Sequence, residues 1–350
     1  MTDAGSPSAE EGFAAMGKPV LITGVAGFLG SHLADDLLDR GYSVRGIDNM
    51  IDGFKENIPA GVEFHEVDCR DALAHPELFD GVELVYHCAA APYEGLSVFS
   101  PFLVHEHTTS ATVAMLSASV RAGVSRFVHC SSMSRYGELV PPFTEDMTPV
   151  PLTPYGIAKY AADLQVRAIA GVHGMEHNIA VPHNIIGSRQ RFDDPYRNVA
   201  AIMINRVLRG LQPIIYGDGS QTRCFSFVSD VVSCLTKLGI DPAITGETIN
   251  VGPDEGEVTV LALAQEICSI VGVDCDPIFM PARPLEVHHA TCSSDKARRL
   301  LGYRTEVGLR DGLTEMVGWI ERTGPREFDY NLELEIVNEL TPRTWSSRLM

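Results

Sequence analysis

The stretch 18-KPVLITGVAGFLGSHLADDLLDRGYSVRGIDNM-50 decides how this chain is read. Pro19 to Ile22 is an apolar run too short for a helix, and glycine follows almost at once, which marks a buried strand. Gly24, Gly27 and Gly30 come at every third position. From Phe28 onward, Leu29, Leu33, Leu37 and Leu38 keep helical spacing until Gly41 ends the helix. A second strand, YSVRGID, finishes on Asp48, with Asn49 behind it. Strand, glycine-rich turn, helix, strand and terminal acid together make a dinucleotide fingerprint. The glycines let the backbone approach a pyrophosphate, and the helix N-terminus offers N–H groups and a positive dipole end. Asp48 is placed to accept hydrogen bonds from the adenosine ribose. Its charge opposes a 2'-phosphate, so NAD is favoured over NADP.

Further strand-like runs follow: EFHEVD, LVYHCAAA, RFVHCSS and HNIAVPHNII, separated by helical stretches at 108–122 and 155–171. This alternation predicts an α/β fold with a doubly wound parallel (Rossmann) sheet that binds ligands at the carboxyl ends of its strands. Asp68, Ala89, Ala90 and the serines of 129-HCSSMSRYGE-138 fall at such ends.

The formal net charge of -19 repels nucleic acid and anionic membranes, so neither is expected as a partner. An anionic substrate would need local arginines to override that field. The eight cysteines form no Cys-x-x-Cys pair, which points to a reducing, cytoplasmic setting without a disulfide framework or a zinc site. His105 and His107, and the adjacent His288 and His289, lack metal-ligand spacing. The polar, acidic start reads as a disordered leader over 1–17.

Downstream, 153-TPYGIAKYAADL-164 places Tyr155 and Lys159 four apart at a helix start behind Pro154, on one face. The glycine motif, a serine pair before Tyr-Gly, and Tyr-x-x-x-Lys jointly resemble the extended short-chain dehydrogenase/reductase family. Within it the resemblance is to the NAD-dependent nucleotide-sugar epimerases and dehydratases, over roughly residues 18 to 320. A free phenol is a poor base at neutral pH. The resemblance implies that Lys159 and a positive nicotinamide ring lower the Tyr155 pKa so that it takes a proton from a sugar hydroxyl. Ser132, four residues before Tyr136, is the implied partner of the reacting sugar oxygen, with Ser131 the lesser candidate. The cofactor residues implied are Gly24, Gly27, Phe28, Leu29, Gly30, Asp48, Asn49, Asp68, Cys69, Cys88, Ala89, Ala90, Thr108, Cys130, Tyr155, Lys159 and Pro182.

Position 134 separates the reactions of this family. Its sugar 4,6-dehydratases carry Glu there, often after Asp, to remove the C5 proton, and 3,5-epimerases carry Cys. This chain has Met133 and Ser134, neither a competent base. What remains is 4-epimerisation: oxidation at C4, rotation of the keto sugar, and return of the hydride to its other face. The alternatives are a UDP-glucuronate 4-epimerase, a 4,6-dehydratase or 4-ketoreductase, and a non-catalytic NAD-binding regulator. Arg135 stands where the family usually has an aliphatic residue.

The implied substrate, a nucleotide sugar and most simply a UDP-hexose, is assigned to Asn184, Asn198, Val199, Ile214, Tyr216, Arg223, Arg283 and Glu286, besides Ser132 and Tyr155. Arg223 and Arg283 suit a diphosphate. Arg191 could read a C6 carboxylate or pair with Asp193 or Asp194, and Tyr93 or Glu94 could touch the sugar. Leu285 occupies a usual glycine position. The expected organisation is an NAD-binding domain over 18–185, with 226–251 crossing back into it. A smaller substrate lobe follows over 186–325, then an extension over 326–350. In that extension FDYNLELEI (328–336) alternates apolar and polar and reads as an added strand. The resemblance also implies a homodimer through the helices at 108–122 and 155–171.

Overall fold

The computed structural model describes residues 18–350; the leader expected over 1–17 lies outside them. The opening stretch forms β1 (Pro19–Thr23), α1 (Phe28–Asp39) and β2 (Ser43–Asp48). Two glycines make the turn possible. Gly24 has φ +71°, and a Cβ there would lie 3.0 Å from the Ala89 backbone. A Cβ on Gly30 would lie 2.2 Å from the Gly24 carbonyl oxygen, so α1 begins in contact with the turn that precedes it.

The remaining central strands are β3 (Glu63–Glu66), β4 (Leu84–His87), β5 (Arg126–Cys130), β6 (Glu176–Pro182) and β7 (Thr248–Val251). They pair in the order β3-β2-β1-β4-β5-β6-β7, every pair parallel. The fold is therefore the doubly wound parallel α/β sheet that the alternation predicts. The chain reverses direction across the sheet between β1 and β4, and this opens the crevice where such folds take ligands.

The sheet is apolar on both faces because helices cover both. Val20, Ile22, Leu84, Tyr86 and Val128 pack on one side with Leu33 and Leu37 of α1. Their odd-numbered neighbours Leu21, Val85 and Phe127 pack on the other with Met115, Leu116 and Val166. These last come from α3 (Ala111–Ala122) and α4 (Pro154–His173); α2 (Pro101–His105) precedes them. Beyond β6, α5 (Val199–Leu208) packs with the helices at Val260–Val271 and Leu309–Thr323. Short strand pairs carry Ile214–Tyr216 beside Ile278–Met280, and Thr222–Arg223 between Val258–Thr259 and His289–Ala290.

The added strand expected at 328–336 is not formed. The period-two pattern is real in burial: Phe328, Tyr330, Leu332 and Leu334 are partly buried, while Asp329, Asn331, Glu333 and Glu335 are exposed. The segment runs alongside the loop before α2 rather than along a sheet edge. Ile336 donates to the Phe99 carbonyl at 2.9 Å, and the Glu335 carboxylate accepts from the backbone N–H of Phe102 and Leu103 at 3.0 and 2.7 Å, capping α2. Any extended chain with one face on a folded body shows this alternation, so the pattern alone does not imply a ladder.

Substituting Gly30→Ala forces a methyl into a backbone oxygen that cannot yield. Denaturant unfolding is expected to show a loss of at least about 2 kcal/mol, the upper part of the overpacking range.

Candidate active site

Helix α4 starts in a fixed way. Pro154 occupies its first turn, and the Thr153 hydroxyl accepts from the Gly156 N–H at 3.1 Å. Tyr155, Lys159 and Asp163 then follow at four-residue intervals on one buried face. A single cleft runs from the glycine turn across this face to the segment 283–287. Every predicted cofactor residue except Thr108 lines it, and so does every predicted substrate residue except Arg191. Tyr93, Glu94, Ser131 and Ser134 line it as well.

At the cofactor end, Gly27 caps α1 without a side-chain acceptor, leaving the first-turn N–H groups free of a capping side chain. Asp48 accepts from the N–H of Ala26 at 3.0 Å and of Met50 at 2.9 Å, so it braces the turn as well as facing the cleft. Burial pushes its carboxyl up. Asp68 is also partly buried, but hydrogen bonds from Arg70 and Asn49 outweigh that and hold it at about 2. An uncapped helix start, a cradle that only glycine fits and an acid at the end of β2 fit NAD.

Thr108 lies beneath this surface. It sits in a π-helical turn (Glu106–Ser110), fully buried, with its carbonyl accepting from the Thr112 hydroxyl at 2.7 Å. The π-turn shifts the register, so His107 and Ala111 reach the cleft in its place.

At the reactive end, Lys159 Nζ donates to the Cys130 carbonyl at 2.7 Å and does not reach the Tyr155 phenol. Burial pushes the Tyr155 phenol up, and the hydrogen bond from Ser132 pulls the other way. Lys159 donates one of its three hydrogens to the β5 carbonyl, and its charge stays one helical turn from Tyr155. The Ser132 hydroxyl lies 3.3 Å from that of Ser134, whereas Ser131 is turned away, donating to Asp163 at 2.9 Å.

Arg135, unexplained by sequence, has a clear place. It is 2% exposed, ion-pairs with Asp163 at 2.9 Å, and lies over the rings of Tyr136 and Tyr160. Asp163 thus grips the serine loop on both sides of Ser132, through Ser131 and Arg135, and ties it to the helix that carries Tyr155. Burial pushes the Asp163 carboxyl up, Arg135 and Ser131 restrain the rise, and the net value is about 6.

The substrate end holds three cleft-lining arginines. Arg223 donates to the backbone carbonyls of Thr222, Val287 and His288. Arg283 pairs with Glu286 at 2.9 Å and lies 4.8 Å over the Tyr216 ring. Arg197 was missed by sequence reasoning; it pairs with Asp52 at 3.0 Å and lies over Tyr93, whose hydroxyl donates to Asp194. Nothing local marks Arg197, because Asp52 and Tyr93 are more than a hundred residues away. Asn184 adopts φ +44° and donates to the Cys224 carbonyl at 2.9 Å, and Asn198 caps α5 by accepting from Ala200. Leu285 keeps a left-handed φ of +58°, so the turn retains the shape glycine favours.

Arg191 takes the second of its two expected roles, pairing with Asp193, and does not line the cleft. It is buried and bonded to Asp193 and Asp329, each at 3.1 Å, and to Asp52 at 3.3 Å. Three carboxylates occupy its donors, so it presents no charge to the cleft.

Removing one partner of a buried ion pair strands the other. Arg135→Met is expected to cost about 3 kcal/mol at neutral pH, with Arg135→Met/Asp163→Leu recovering part of it in urea unfolding. The sign with pH follows from the raised Asp163 pKa: its stability contribution falls as pH rises from about 4 towards 6. In Arg135→Met the fall extends to higher pH, because the restraint on the carboxyl is gone.

A family model described as "NAD dependent epimerase/dehydratase family" matches residues 20–252. A putative UDP-glucose 4-epimerase of Methanocaldococcus jannaschii is 32% identical over 308 residues, spanning 86% of this chain and 98% of the relative. UDP-glucuronic acid decarboxylase 1 of Danio rerio is 30% identical, over 95% of this chain and 78% of the relative. Among solved structures, the UDP-glucose 4-epimerase of Thermotoga maritima with UDP-glucose superposes with a TM-score of 0.80 at 32% identity, covering 87% of this chain and 99% of that one. The matched length, the glycine cradle and the Ser132–Tyr155–Lys159 set agree: this chain belongs to the NAD-dependent epimerase/dehydratase family.

Proposed function

We propose that this protein is an NAD-dependent nucleotide-sugar 4-epimerase acting on a UDP-hexose with a neutral C6 group. The observation that carries the reading is a complete set for oxidising C4, beside a serine loop that holds no carboxylate. Tyr155 accepts the proton of the C4 hydroxyl, Ser132 hydrogen-bonds that oxygen, and buried Lys159 supplies positive charge from behind. The glycine turn and Asp48 would hold NAD, which would supply the hydride acceptor and donor for C4. Because Ser131, Ser132, Met133, Ser134 and Arg135 offer no base, the C5 proton stays in place and the 4-keto sugar is neither dehydrated nor released.

Arg223 and Arg283 supply local positive charge for the diphosphate against the strongly negative whole. The neutral C6 group is inferred from Arg191. Arg191 is the cation the sequence offered to a C6 carboxylate, and this guanidinium is already held by Asp52, Asp193 and Asp329. A homodimer through α4 accords with its exposed apolar side chains Ile157, Leu164 and Val172, which follow helical spacing on the face away from the cleft.

The test is turnover of UDP-glucose, UDP-galactose, their N-acetyl forms and UDP-glucuronate by purified protein without added NAD. A neutral hexose should epimerise at C4 and UDP-glucuronate should not. Preferential turnover of UDP-glucuronate would refute the neutral C6 assignment, and a free keto sugar would refute the epimerase. Tyr155→Phe should lower kcat by at least about a hundredfold, in the range of lost general-base catalysis, while bound NAD remains detectable after denaturation of the protein.

A further inference from the structure

Residues 325–350 lie beyond the family-model match, yet they are built into the cleft wall from behind. Trp345, 3% exposed, packs edge-on against Phe99, Tyr196 and Tyr216 at centroid distances of 5.9, 5.3 and 6.4 Å. The neighbouring Thr344 hydroxyl is hydrogen-bonded to the Tyr216 hydroxyl, and the Thr344 carbonyl accepts from Tyr330 at 2.9 Å. Tyr330 packs edge-on to Tyr196 at 6.2 Å and accepts from the Met350 N–H, which brings Met350 to the cleft lining. The segment is anchored at its other end by Asp329 on Arg191 and by Glu335 on α2.

Two of the rings held this way, Tyr196 and Tyr216, line the cleft; Trp345 and Thr344 do not. With Arg283 over one face, Thr344 on its hydroxyl and Trp345 against its edge, Tyr216 is held on three sides. A fixed aromatic ring beside a diphosphate-binding arginine suits one ligand part above others: a planar nucleobase, which gains from a surface already ordered before binding.

We propose that Thr344 and Trp345 are positioning residues for the nucleoside diphosphate: they hold Tyr216 in the orientation that receives the base, and so set nucleotide affinity from outside the cleft. This rests on reading the cleft as a nucleotide-sugar site. The segment's contribution falls on binding of the nucleotide and not on the proton transfer at Tyr155.

The experiment is calorimetric titration of the NAD-containing protein with UDP, for wild type, Thr344→Val and Trp345→Ala, alongside KM and kcat for the sugar nucleotide. The Kd for UDP should rise about fivefold in Thr344→Val, the scale of one lost hydrogen bond. It should rise more in Trp345→Ala, with KM following and bound NAD retained. A UDP Kd within twofold of wild type in Thr344→Val overturns the proposal, even if thermal stability falls; that variant decides alone should Trp345→Ala not fold. If wild type binds none of UDP, dTDP, GDP and ADP, the nucleotide-sugar reading fails and this one with it. If wild type binds one and Thr344→Val binds it equally, only this inference fails.

Discussion

Much of the site depends on one buried carboxylate. Asp163 has no solvent exposure and receives Arg135 and Ser131 from the loop that carries Ser132, while standing one helical turn beyond Lys159 and two beyond Tyr155. Tyr155, the proposed general base, and Ser132, the hydroxyl proposed to share its substrate oxygen, come from different elements, α4 and the end of β5. A helix and a loop packed only by apolar contacts could slide by an ångström, enough to spoil a proton transfer. The buried charge pair fixes that register. It does so at a desolvation cost, visible in the raised Asp163 pKa. The stacked His87 and His129 rings pack beneath, with burial pushing both pKa values down so that they add no charge.

The electrostatics of the rest follow from which arginines are neutralised. Arg135 and Arg191 are consumed internally, and Arg197 is paired with Asp52. Arg283 shares its charge with Glu286 in the cleft, and the hydrogen bonds of Arg223 go to backbone carbonyls. Of these five arginines only Arg223 has no carboxylate partner among the described residues, so the unneutralised charge lies at its end of the cleft and not at the end near Asp329. For an acidic chain this local allocation matters more than the total.

How much was legible in the sequence depended on how local the governing interactions are. The β1–α1–β2 unit was readable because a strand, three glycines and a helical repeat succeed one another within about thirty residues. Tyr155 and Lys159 were readable because they share a helix turn. Arg135 was not, because its partner lies 28 residues on and only the fold brings α4 to it. Arg191 was left open between a substrate carboxylate and a nearby aspartate; it took Asp52 and Asp329, from opposite ends of the chain, to spend it. Thr108 was placed at the cofactor by resemblance alone, and the π-turn in which it is buried has no signature in the sequence. The alternation at 328–336 gave the inward face as far as Leu334, Ile336 being exposed, and wrongly suggested a strand, since periodicity reports burial and not hydrogen-bond partners.

The central claim is that hydrogen leaves C4 and returns to C4, with nothing abstracted at C5. The most direct measurement is NMR of the product formed from substrate deuterated at C4, with a parallel reaction of unlabelled substrate in D2O. The account predicts that the C4 label survives in the epimer and that no solvent deuterium enters the sugar. Loss of the C4 label, or deuterium appearing at C5 or C3, would contradict it and show that another residue in the cleft supplies a base.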